Sequence, residues 1–194
     1  MKLTRRSFGK LAGSGLAAAA MPGVFSPAIA QTGPLKIGIL APRSGVAGTA
    51  GECGIRAVQW AAERMNKEGG IAGRPIQLVI EEETNPKDTI ERFRRLILQE
   101  KVESVHGLIS TGVSLGVAPV AEEERSLFVM WDGTTQDGVK ETMPDPKFVF
   151  RSTDNECEAV MGSLLAVKHF KGKCKRVAGI NPDYSYGRNN WEAF

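Results

Sequence analysis

Two short stretches hold the residues best able to do chemistry. Within residues 107–119, Gly112, Ser114 and Gly116 fall in the order G-x-S-x-G, the frame that carries a serine hydrolase's nucleophile. Two to four positions before Ser114 stand Ser110, Thr111 and Gly112, two hydroxyls and a residue that lets backbone approach a ligand. Gly133, Thr134 and Thr135 repeat that composition. The first frame implies covalent catalysis. The second implies capture of a small polar ligand.

A hydrolase needs a base as well as a nucleophile. The chain has 2 His. His106 precedes Ser114 inside a strand-like run. His169 ends a helical run in the lysine-rich sequence Lys168 to Lys171, a position that suits a solvated imidazole near a helix C-terminus. The apex of the strand-to-helix turn falls on Ser110–Gly112, which places Ser114 one turn inside the helix rather than on an exposed elbow. Hydrolysis at Ser114 is therefore the disfavoured alternative.

Other chemistries fit less well. Gly45, Gly48 and Gly51 precede a helix pattern, and Glu81, Glu82 and Glu83 end a strand pattern, which imitates a dinucleotide site. The glycine spacing is not G-x-G-x-x-G, and the acids read as an exposed strand end. His and Cys residues lack ligand spacing, so no metal and no cofactor is expected. The remaining reading is capture without catalysis. Ser110 and Thr111, and then Gly133 to Thr135, sit where strands stop and helices begin. The first N–H groups of a helix favour an anion such as a carboxylate. Small residues at tight turns for steric reasons alone would give similar letters. Paired hydroxyls at two turns, with almost no acid–base apparatus, tip the balance toward binding.

Alternating strand and helix patterns must position these turns. Strands are expected at 35–41, 76–82, 104–109, 127–131, 148–151 and 176–181. Ile55, Val58, Ala62 and Met65 mark the first helix, which Gly69-Gly70 ends. Asn85-Pro86 caps the next, with Ile90, Phe93 and Ile97 inward and Arg92, Arg94 and Arg95 toward water. Pro119 kinks the third helix or delays its start beyond Gly112. A further helix spans about residues 156–170. The order implies an α/β fold with a parallel, doubly wound sheet, whose ligands bind beyond the carboxyl ends of the strands. Loops 42–51, 110–113 and 132–136 should converge on that rim. The restart after 176 suggests a second lobe of similar build. Asn189 to Phe194 reads as the first turns of a helix without a stop, so only the start of that lobe is expected here.

The first thirty residues read as a leader. Lys2, Arg5, Arg6 and Lys10 precede a small apolar run, and Ala28-Ile29-Ala30 is an A-x-A cleavage site. Thr4-Arg5-Arg6-Ser7-Phe8-Gly9-Lys10 matches a twin-arginine signal. The apolar run is too short and too broken by Pro22 and Gly to span a membrane. Removing the four leader cations from 25 Lys and Arg leaves 21 against 22 Asp and Glu. The formal charge of +3 thus belongs to the leader, and nothing points to nucleic acid as a partner. The expected division is 1–30 leader, 31–153 first lobe, and 154–194 start of the second. Cys53, Cys157 and Cys174 are an odd set, and a helix between the last two holds them beyond disulfide reach.

Several motifs, in order, resemble one family. LKIGILAPRSGVAGTAG is similar to its opening strand and loop. Asn66 to Ile76, NKEGGIAGRPI, is similar to its N-x-x-G-G-I-x-G run. GLISTGVSLGVAPVAEEE and NPDYSYGRN resemble its ligand turn and the D-Y-x-Y-G that opens its second lobe. The family is the periplasmic substrate-binding proteins of ABC importers for branched-chain amino acids, the leucine/isoleucine/valine-binding type. The resemblance implies the type I periplasmic-binding fold, two lobes closing over an amino acid, and delivery to a membrane permease. It implies that Ser110, Thr111 and Thr135 hold the ligand's carboxylate and ammonium, that the Gly133 carbonyl accepts from the ammonium, and that Tyr184 faces the ligand from the second lobe. Thr111 replaces the usual Ser, and Ala50 stands where an aromatic often covers the ligand. A disulfide found in some members would fall on Thr84 and Ser110, so it is absent. Relatives of this build also bind amides, urea and aromatic acids, which leaves the ligand open. A ligand-sensing module of a receptor or regulator uses the same fold and is the other alternative.

Overall fold

A computed structural model describes residues 33–152 and 155–194. The leader expected at residues 1–30 and the lobe boundary expected at 153–154 lie outside the described residues. Strands and helices alternate: β1 (Leu35–Ala41), α1 (Gly48–Lys67), β2 (Ile76–Glu82), α2 (Pro86–Leu98), β3 (Ser104–Gly107), α3 (Thr111–Glu123), β4 (Leu127–Met130), α4 (Gln136–Thr142), β5 (Val149–Arg151), α5 (Asn155–Phe170) and α6 (Ser185–Ala193). All strand pairs are parallel, in the order β2-β1-β3-β4-β5. The α/β, doubly wound reading of the sequence is what the chain adopts.

Local signals explain most boundaries. Asn85 accepts the Asp88 N–H at 3.0 Å and Pro86 opens α2, so cap and pre-set φ act together. Gly69 and Gly70 follow α1 at positive φ. α1 starts at Gly48, earlier than its apolar spacing alone suggests. β3 stops at Gly107 because Leu108 turns to φ 67. α3 begins at Thr111 and carries Pro119 inside it, so the later start is not taken. Proline there removes one intrahelical N–H···O bond, a loss the surrounding packing tolerates. Gln136–Thr142 is a helix that apolar spacing does not announce.

The strand expected at 176–181 does not form, and residues 176–181 are exposed. A strand needs a neighbour to satisfy its N–H and C=O groups. The sheet ends at β2 and β5, and no described strand lies beside 176–181. The three cysteines are exposed and form no disulfide. Among the described residues, no helix is long and apolar enough to cross a membrane.

The core lies mainly on one face of the sheet. Leu40, Val105, Phe128, Met130 and Val149 meet Phe93 and Leu96 of α2 and Val113, Val117 and Ala121 of α3. Phe93 and Phe128 meet edge to face, ring centroids 5.7 Å apart. On the other face Ile39 and Ala41 pack on Ile55 of α1, with Ile37, Val58, Leu78, Ile80 and Trp131 around them.

Candidate functional site

In a parallel sheet every strand delivers its following loop to the same rim, so the turns after β1, β3 and β4 gather there. The order β2-β1-β3 makes the connections from β1 and β3 depart in opposite directions, which opens a crevice between them.

The turn after β3 runs from Leu108 to Ser110. Ser110 is the N-cap residue of α3 and is half-buried, yet its side chain does not cap the helix, which leaves the hydroxyl available. Thr111 is fully buried and its Oγ1 donates to the Gly133 carbonyl at 2.6 Å. The sequence reading gave each of these two groups to a ligand separately. In the structure they bind each other and join the two turns.

The turn after β4 is shaped by its own acid. Asp132 Oδ1 accepts the Gly133 N–H at 2.7 Å, and Gly133 adopts φ 49. A Cβ on Gly133 would stand 1.9 Å from the Ile109 carbonyl oxygen, so only glycine permits this approach. Thr134 and Thr135 are fully buried. Thr135 caps α4, accepting the Gly138 N–H at 3.3 Å, and the structure gives the Thr134 hydroxyl no hydrogen-bond partner. Tyr184 is the N-cap residue of α6, a helix that touches α3 and α4. Tyr184 is 41% exposed, and its ring stacks on that of Tyr186 with centroids 6.1 Å apart. Burial raises the Tyr184 pKa, with smaller pushes from Tyr186 and Glu83. Ser110, Thr111, Gly133 and Thr135 thus form one patch, and Tyr184 lies within electrostatic reach of Glu83 beside it.

Three acids at this patch escaped the sequence reading. Glu83, expected on an exposed strand end, is buried. One of its oxygens accepts the Ile109 N–H and the other the Ser110 N–H, both at 2.8 Å. Burial raises its pKa, the two N–H bonds pull it back, and Asp132 pushes it further up. The signal was available in the alternation of β2. Val79 and Glu81 point to the α2 side, and Glu83 follows with the same period. Glu156 is the third acid. It takes the Gln136 N–H at the start of α4 and pairs with Arg151 at 3.0 Å. Arg151 also donates to the Thr134 carbonyl at 2.9 Å. Arg92, expected to face water, is half-buried and donates to the Thr84 hydroxyl at 3.0 Å and to the Glu82 carbonyl.

The arrangement suits capture and does not suit hydrolysis. Ser114 is fully buried inside α3, and its hydroxyl has no hydrogen-bond partner. His106 lies on the α1 side of the sheet, its Nε2 3.0 Å from Ser104 Oγ, while α3 packs on the other side. Burial lowers the His106 pKa. No base can reach Ser114 from there. Among the described residues, no group of three potential metal ligands exists.

The sequence and fold have relatives. The chain is 27% identical over 161 residues to the Leu/Ile/Val-binding protein BraC3 of Rhizobium johnstonii, covering 82% of this chain and 42% of that protein. It is 29% identical over 184 residues to Leu/Ile/Val-binding protein homolog 3 of Brucella melitensis, covering 93% and 47%. Its fold matches a solute-binding protein of an ABC transporter from R. palustris in complex with 4-hydroxybenzoate, with TM-score 0.70, 25% identity, and coverage of 83% and 42%. It also matches the branched-chain amino acid transporter substrate binding protein LivJ of Streptococcus pneumoniae in complex with isoleucine, with TM-score 0.70, 20% identity, and coverage of 82% and 45%. The chain therefore spans less than half the length of these relatives. Residues 34–194 match the family described as periplasmic binding protein, and the chain belongs to that family.

Proposed function

We propose that this chain is the first lobe, with the start of the second, of an exported solute-binding protein that serves an ABC importer. It captures an amino acid or related small ligand in the cleft between lobes, performs no catalysis, and hands the ligand to a membrane permease. The observation that carries this reading is the joined pair of turns. At two adjacent strand ends a hydroxyl and a carbonyl are locked to each other at 2.6 Å, and the carboxylates beside them, Glu83 and Asp132, are bound to backbone N–H groups of the same turns. Support for the ligand class comes from relatives whose solved complexes hold isoleucine and 4-hydroxybenzoate. Ser110, Thr111, Gly133, Thr135 and Tyr184 are the proposed contacts. Residues 31–153 form the first lobe in this reading and 154–194 open the second. Residues 1–30 direct export to the periplasm by the twin-arginine route.

Titration of the full-length protein against leucine, isoleucine, amides, urea and aromatic acids tests this function. No saturable binding by any of them would sink it. Thr111→Ala and Thr135→Ala should each weaken binding by about 1–3 kcal/mol. Besides any contact with ligand, Thr111 fixes the Gly133 carbonyl and Thr135 the start of α4, so either loss also loosens a turn. Unchanged affinity in both variants removes these assignments.

A further inference from the structure

Leu108 is fully buried and holds φ 67, a conformation that a bulky side chain rarely adopts. Such a residue persists only where its surroundings over-determine it. Its own N–H is held by the Leu40 carbonyl at 2.7 Å. The next two N–H groups, Ile109 and Ser110, are held by Glu83. One carboxylate from the end of β2 thus grips both residues between the left-handed Leu108 and the first residue of α3.

We propose that Glu83 is a positioning residue for the ligand turn, its carboxylate fixing the backbone that presents Ser110 and Thr111 at the rim. The proposal rests on the binding function given above. It assigns Glu83 no contact with ligand. Charge-assisted bonds to backbone N–H groups are stronger than neutral ones, so two from one side chain make an effective staple.

The same geometry makes the staple sensitive to acid. A carboxylate accepts at both oxygens, whereas a protonated acid turns one oxygen into a donor that faces an N–H. Acidification therefore releases one of the two bonds. Fold stability responds in the opposite sense. Because burial raises the Glu83 pKa, its contribution to stability is full below the ordinary carboxylate pKa and is lost as pH rises through the raised value. Two groups act on this carboxylate from other elements, Asp132 from the β4–α4 turn and the Tyr184 phenol, while Arg92 of α2 binds the flanking Glu82 carbonyl and Thr84 hydroxyl.

Glu83→Gln separates positioning from bulk stability. Its amide can hold one N–H but opposes the other with a donor, and the buried charge is gone. In the full-length protein the Ile109 and Ser110 amides should exchange about tenfold faster or more, while Val105 and Phe128 keep their protection. Ligand affinity should fall about tenfold with the melting temperature unchanged or raised. Wild-type affinity should decline on acidification, the Glu83→Gln variant should show no such limb, and Asp132→Asn should move the limb to lower pH. Unchanged exchange at Ile109 and Ser110 would overturn the proposal. So would affinity and melting temperature falling together, as a merely structural residue predicts. If the variant fails to fold, wild-type exchange decides: the two amides must loosen on acidification before the rest of β3. A wild type that binds no ligand defeats the proposed function by itself, and the exchange measurement still decides whether Glu83 holds the turn.

Discussion

The two faces of the sheet share their strands and differ in almost everything else. One face carries α2 and α3, and its Leu40, Val105, Phe128 and Met130 are fully buried. The other carries α1 over β1 and β2. Farther along, Leu127 is 40% exposed and Phe150 52% exposed. The cause is topological. Parallel crossovers are right-handed, so the direction in which a connection travels decides the face its helix covers. Only β1 to β2 travels one way, whereas β2 to β3, β3 to β4 and β4 to β5 travel the other. One helix covers one side, and the remaining connections accumulate on the opposite side.

Mutations can test this contrast. Phe93→Ala, on the covered face, should cost about 3–5 kcal/mol, read from urea unfolding, because it removes a buried ring and leaves a cavity against Phe128. A loss under about 1 kcal/mol would mean that this face repacks freely. Glu122→Ala comes next. Glu122 Oε1 accepts the N–H groups of Lys147, Phe148 and Val149 at 2.7, 2.7 and 3.0 Å, and so fastens the entry of β5 to the end of α3. Its removal should cost about 2 kcal/mol, with faster amide exchange at those three positions. Phe150→Thr, on the bare face, should change stability by no more than about 0.5 kcal/mol and reduce binding of a hydrophobic dye. A large loss there would show that something covers this face in solution.

The contrast also marks how far the sequence could be read. Strand cores, the Asn85 cap and the turns at Ser110 and Thr135 were visible because each depends on neighbours in the chain. Leu127 and Phe150 looked like any residues of a strand buried on both sides, since their letters do not report which connections cover them. Residues 176–181 had the composition of a strand and lacked a partner. Glu83 was misjudged because its role depends on Ile109 and Ser110, more than twenty residues away. Thr111 and Gly133 each read as residues of a strand-to-helix turn, but their mutual bond needs the β3–β4 pairing to exist.

That bond has a kinetic meaning. Under the proposed binding function, a solute arriving at Thr111 and Gly133, already joined, would meet a surface assembled during folding. Little further ordering of this lobe is required at the encounter. Solutes of similar size should then arrive at similar rates, and those the protein favours should be distinguished by how long they stay.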